Sequence, residues 1–141
     1  MNITDTHTHL FLSQFDEDRD QVIQRAREWG VSYCFLPNID KTTIQATLQM
    51  IQDYPGICYA MMGLHPCSVD ADYESHLQAV EAELYSNKPV VAVGETGLDF
   101  YWDDTYQHEQ EYAFRKHLEW AKILGLPVSI HVRNSFERVA T

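Results

Sequence analysis

The segment 89–99, PVVAVGETGLD, runs four apolar residues, Val90 to Val93, straight into Gly94 and the carboxylate of Glu95. A short unbroken apolar run reads as a strand buried on both faces, the habit of a parallel sheet covered by helices. A carboxylate after such a run is unfavourable to bury unless a cation or a hydrogen-bond network meets it. Gly94 and Gly97 free the backbone to bend around Glu95. The segment therefore predicts a buried parallel strand that leads into chemistry.

Similar runs lie on either side. Residues 3–10, 31–39, 57–66 and 128–133 read as strands, so strands begin near positions 3, 31, 57, 90 and 128. Helical periods fill the gaps. Val22, Ile23, Ala26 and Trp29 mark one face of the first helix, with Asp16, Glu17, Asp18 and Asp20 in its first turns and Gly30 as its stop. Ile44, Leu48 and Ile51 form the second stripe, Tyr73, Leu77, Val80 and Leu84 the third, and Phe114, Leu118, Ala121 and Leu124 the fourth. Asn134 or Ser135 caps a fifth helix that barely begins. This alternation predicts an α/β fold, either a doubly wound sheet or a (β/α) barrel, and periodicity alone does not choose.

The polar residues do choose. His7, His9, His65, Glu95, Asp99 and His131 all fall at or near predicted strand ends. The ends of strands one and five meet at the C-terminal mouth of a barrel, whereas an open sheet spreads them apart unless they are neighbours. The expectation is a (β/α)8 TIM-barrel type. Such a barrel takes ~250 residues. Residues 1–141 are therefore read as the N-terminal portion of one barrel domain, with about the first five strands and four helices.

Composition narrows the function. A formal net charge of −11 excludes a broad basic surface that binds nucleic acid by counterion release. A phosphate-bearing ligand would need local positive charge, for which bound metal ions are the obvious source. Cys34, Cys58 and Cys67 form no C-x-x-C pair and fit a reducing compartment better than a disulfide framework. No basic-then-apolar leader opens the chain and no apolar run approaches the ~18 residues of a membrane span, so the expected setting is cytoplasmic.

His7 and His9, two apart on a strand, project to one side and can grip one divalent ion. Taken alone, the tripeptide also fits solvated histidines at a polar strand end. Asp5 is read as an edge acid or as a group that orients a ligating histidine. Asp99 is read as an orienting carboxylate or a rim acid. His131 shares a face with Ser129 and Arg133, opposite Val128, Ile130 and Val132. His65, fixed by Pro66, is a candidate to contact substrate or shuttle a proton. Cys67 is read as packing, and His76, His108 and His117 as surface residues on helices. The aromatic run 98–106, LDFYWDDTY, is expected to pack over the barrel mouth, with stacking on a ring or base as the alternative.

In their order and spacing, TDTHTHL (4–10), GLHP (63–66), GETGLDFYW (94–102) and LPVSIHVRNS (126–135) resemble the TatD family of metal-dependent deoxyribonucleases. The helix leading into the fifth strand resembles it too. The resemblance implies that His7 and His9 bind one divalent ion, that Glu95 bridges two, and that His131 binds the other. It places His65 and Arg133 near the substrate phosphate and gives catalytic roles to Glu95 and His65. Asn134 stands where the family often has an acid. Zn²⁺, Mn²⁺, Fe²⁺ and Mg²⁺ all suit such a site.

The family completes its site with a further histidine and an aspartate beyond Thr141. The missing C-terminal half of the barrel, or another chain, is expected to supply them. The implied activity is hydrolysis of phosphodiester bonds in DNA, with the 141-residue chain alone inactive or nearly so. The alternatives are another barrel hydrolase, either an amidohydrolase or a phosphoesterase, or a non-catalytic metal-binding remnant. Glu95 stands where many amidohydrolases carry a bridging lysine, and GETGLD with GLHP is unusual in the phosphoesterases.

Overall fold

A computed structural model describes residues 2–140. Five parallel strands, β1 (Ile3–Asp5), β2 (Val31–Pro37), β3 (Cys58–Met62), β4 (Val90–Asp99) and β5 (Val128–Arg133), form one sheet. Helices α1 (Arg19–Glu28), α2 (Ile44–Asp53), α3 (Tyr73–Leu84) and α4 (Gln107–Leu124) connect successive strands, and the single turn α5 (Phe136–Val139) follows β5. The strand order is β1-β2-β3-β4-β5, identical to the chain order. A doubly wound sheet reverses its order at a switch point. This one does not, and it curves as a half-barrel.

β4 is the longest strand and lies between β3 and β5, so residues Ala92 to Asp99 are all buried. The core divides along the sheet. Met62, Leu64, Val80, Val93, Ala113 and Trp120 pack under α3 and α4, while Leu10, Phe11, Ile23, Leu36, Met50 and Cys58 pack nearer α1 and α2. Each Val, Leu, Ile, Phe or Met side chain among them contributes ~1.5–3 kcal/mol on leaving water. Among the described residues no helix is long and apolar enough to cross a membrane.

Three local readings are corrected. β1 stops at Asp5, so His7 and His9 sit in the loop beyond it. The Asp5 carboxylate accepts the His7 N–H at 3.1 Å, turning the chain out of the ladder, while the Thr8 N–H still reaches Phe35 O at 3.0 Å. α1 begins only at Arg19, leaving Asp20 as the acid in its first turn. Arg19 reaches back to Leu10 O at 2.7 Å and Leu12 O at 3.0 Å, and so closes the loop that follows His9. His76 and His117 are buried, not superficial, because each satisfies a backbone N–H that would otherwise be orphaned.

Candidate metal centre

Glu95 projects from the middle of β4 and is only 7% exposed. Histidines from three other segments meet it. His7 Nε2 lies 3.0 Å from Oε2, His65 Nε2 lies 3.7 Å from the same oxygen, and His131 Nδ1 lies 3.1 Å from Oε1. The His9 ring stands edge-on to His7, 5.2 Å between centres. Donor atoms of His7, His9 and Glu95 all lie within 4.8 Å of one another, and so do those of His65, Glu95 and His131. Glu95 is common to both groups, with Oε2 toward His7 and His65 and Oε1 toward His131.

The nitrogens available for ligation follow from the other contacts of each ring. Pro37 O, 3.1 Å from His9 Nδ1, can only accept, so Nδ1 carries the proton and Nε2 keeps its lone pair. Asp99 Oδ2, 2.8 Å from His131 Nε2, takes that N–H and leaves Nδ1 as the lone pair beside Glu95. His65 is built the other way. Its Nδ1 accepts the Cys67 N–H at 3.1 Å, so Nε2 carries the proton and faces Glu95 as a donor. Burial lowers the pKa of both His9 and His65; the neighbouring His7 adds to this at His9, and Glu95 opposes it at His65. Neutral imidazoles with a buried carboxylate fit a divalent transition-metal ion.

Asp99 is 2% exposed and fully used. Oδ2 takes His131 Nε2 and the Cys67 thiol at 3.4 Å, and Oδ1 accepts the Tyr101 N–H at 3.0 Å. Burial alone would raise its pKa, but these hydrogen bonds prevail and hold it below the usual carboxylate value. Burial, and then Asp99, push the Cys67 thiol up to about 11, so Cys67 donates as a neutral thiol.

Sequence reasoning passed over the residues that fix the His65 loop. Asn38 Oδ1 accepts the Gly63 N–H at 2.7 Å, His117 Nε2 accepts the Leu64 N–H at 2.9 Å, and Ile39 O accepts the His65 N–H at 2.8 Å. Three successive donors are thus held. Gln110 does the same for Asp99, accepting its N–H at 2.9 Å and donating to its carbonyl at 3.2 Å. The signal was present: Gln110 and His117 fall four residues before and three after Phe114, on the buried stripe of α4.

Arg133 ends β5, its guanidinium 4.9 Å from the Tyr101 ring centre and 5.5 Å from that of Trp102. These two aromatics do not pack down over the mouth. Tyr101 is 56% exposed and Trp102 70% exposed.

Histidines and carboxylates gathered from sequential parallel strands and the loops that follow them define a candidate metal centre of the (β/α)-barrel class. The chain belongs to the family described as TatD related DNase, whose model matches residues 4–141. The "uncharacterized metal-dependent hydrolase YabD" of Bacillus subtilis is 38% identical over 97% of this chain and 53% of its own length. The "3'-5' ssDNA/RNA exonuclease TatD" of Erwinia tasmaniensis is 35% identical over 95% of this chain and 51% of its own. The crystal structure of YJJV, a TatD homolog from Escherichia coli K12, superposes with a TM-score of 0.88 at 30% identity, covering 98% of this chain and 53% of that one. The chain spans about half the length of the curated relatives it matches.

Proposed function

We propose that this chain is the N-terminal half of a divalent-metal-dependent hydrolase that cleaves phosphodiester bonds of DNA. Relatives named as 3'-5' ssDNA/RNA exonucleases extend the proposal to single strands, degraded from an end. One observation carries the reading: a buried glutamate with histidines from different segments at its two oxygens. His7, His9 and Glu95 hold one ion, and Glu95 with His131 a second. Such ions, when bound, acidify water and neutralise charge on phosphate oxygens. His65 keeps its proton on Nε2 and donates it to the substrate. Arg133 offers its guanidinium to a phosphate. Asp99 orients the His131 ring, and Asp5 orients His7 through its backbone. The three free cysteines support a reducing, cytoplasmic setting.

The remaining ligands come from a second half of the barrel or from another chain. The 141-residue chain alone is expected to bind Zn²⁺ or Mn²⁺, and His9→Ala to lose most of that binding, by equilibrium dialysis with metal analysis. Its hydrolysis of a single-stranded oligonucleotide should be a small fraction of the rate reached once a complementary half-barrel is supplied. Full activity from the chain alone would refute the incomplete site. Parallel assays on a hydantoin and a phosphomonoester separate the amidohydrolase and phosphoesterase alternatives. Metal uptake without turnover of any of the three, even in the completed barrel, would leave only a metal-binding remnant.

A further inference from the structure

The loop after β4 holds two large aromatic side chains that the metal cluster does not use. Tyr101 and Trp102 stand edge to face, 4.7 Å between ring centres, and remain mostly in solvent. Leaving an indole exposed forfeits most of what its burial would contribute. Yet the pair is held in place. The Phe100 N–H donates to Arg133 O at 3.0 Å and the Tyr101 N–H to Asp99 Oδ1 at 3.0 Å, so the loop is tied to the ends of β5 and β4. One side of Trp102 lines a cleft of about 70 Å³ with Pro66, Cys67 and Asp99. Arg133 lies over both rings and, among the described residues, makes no ion pair, so its N–H donors are available.

The pair is also close to the metal cluster. Asp99 grips His131 with one oxygen and the Tyr101 N–H with the other. His131 and Arg133 are two residues apart on one side of β5, ~6.6 Å along the strand. A phosphate at the cluster would therefore leave its nucleotide's base within reach of the aromatic pair.

We propose that Tyr101 and Trp102 form a stacking platform for a nucleobase next to the scissile phosphate, with Arg133 holding that nucleotide's backbone. The inference rests on the nuclease reading above and adds the part of the substrate that reading leaves unassigned. Every base has a stacking face, so the platform grips any sequence, and it reads neither deoxyribose nor ribose. It also suits a strongly acidic chain, since a base is held without help from a broad positive field.

The test is binding of a fluorescently labelled short single strand by anisotropy, without turnover, under chelation and with Ca²⁺. One oligonucleotide carries all its bases; a second has abasic residues at the end bound by the enzyme. Trp102→Ala should weaken binding of the complete strand about tenfold. It should leave the abasic strand unchanged, and Trp102→Phe should recover most of the loss. The same loss is expected for deoxy and ribo strands. An equal loss on the complete and abasic strands, or none on either, would overturn the platform while leaving the nuclease reading intact. A wild-type barrel, completed by its second half, that binds neither strand would overturn both.

Discussion

At neutral pH the ring of His117 is uncharged, with Nδ1–H donated to Ala113 O at 2.6 Å and Nε2 accepting the Leu64 N–H. Both nitrogens are spent, and burial drives its pKa down to about 4 from an ordinary 6.5. The unfolded chain therefore binds a proton that the folded chain refuses. Stability is fully present above pH 6.5 and is lost as pH falls from 6.5 toward 4, by about 3 kcal/mol from this one residue. Burial of His9 and His65 acts in the same direction. Asp99, whose pKa is depressed, adds a loss only below its ordinary value of 3.8. Urea unfolding across this window should show the midpoint falling steeply in the wild type and less so in His117→Gln. Parallel curves for the two proteins would remove His117 from the explanation.

Among the elements, the β4–β5 pair places Glu95, Asp99 and His131 in the cluster. Gly97 pairs with His131, and a Cβ built on Gly97 would come 2.0 Å from His131 O at a φ of +143°. Gly97→Ala should therefore push the strands apart and cost roughly 3 kcal/mol or more in urea unfolding, with metal affinity falling too. Gly56→Ala is the control: its φ is also positive, at +76°, but nothing lies within 4 Å of its Cβ, so ~1 kcal/mol is expected. Equal losses would mean that backbone conformation, not the close approach, governs both sites. The same pair shows what can be read from sequence. β4 and β5 were legible because their apolar runs and their chemistry coincide in a few residues. β1 was overread, because alternation through residues 3–10 cannot reveal that Asp5 will turn the backbone at His7. His117 and Gln110 were misplaced or missed because a polar side chain on an apolar stripe looks like an interruption until its backbone partner is known.

At the level of the molecule, β1 and β5 are the two edges of the sheet, and neither has a second neighbour among the described residues. Ile3, Ile130, Val132 and Phe136 are exposed along or beside them. Unpaired edges flanked by apolar side chains favour association. The isolated chain should self-associate with rising concentration in sedimentation velocity, and a complementary half-barrel should suppress this. A monomer at all concentrations would show that these edges need no cover. The coincidence of chain order with strand order has one more consequence, for the protein as it is made. Each strand leaving the ribosome can dock beside the one before it, so most of the sheet can assemble from the N-terminus without waiting for distant segments. His7 and His9 are translated first, but the carboxylate between them and His131 arrives only with β4. Any metal this cluster takes up is therefore acquired late in biogenesis, and a nascent chain stalled before β4 would hold His7, His9 and His65 with no Glu95 to meet them.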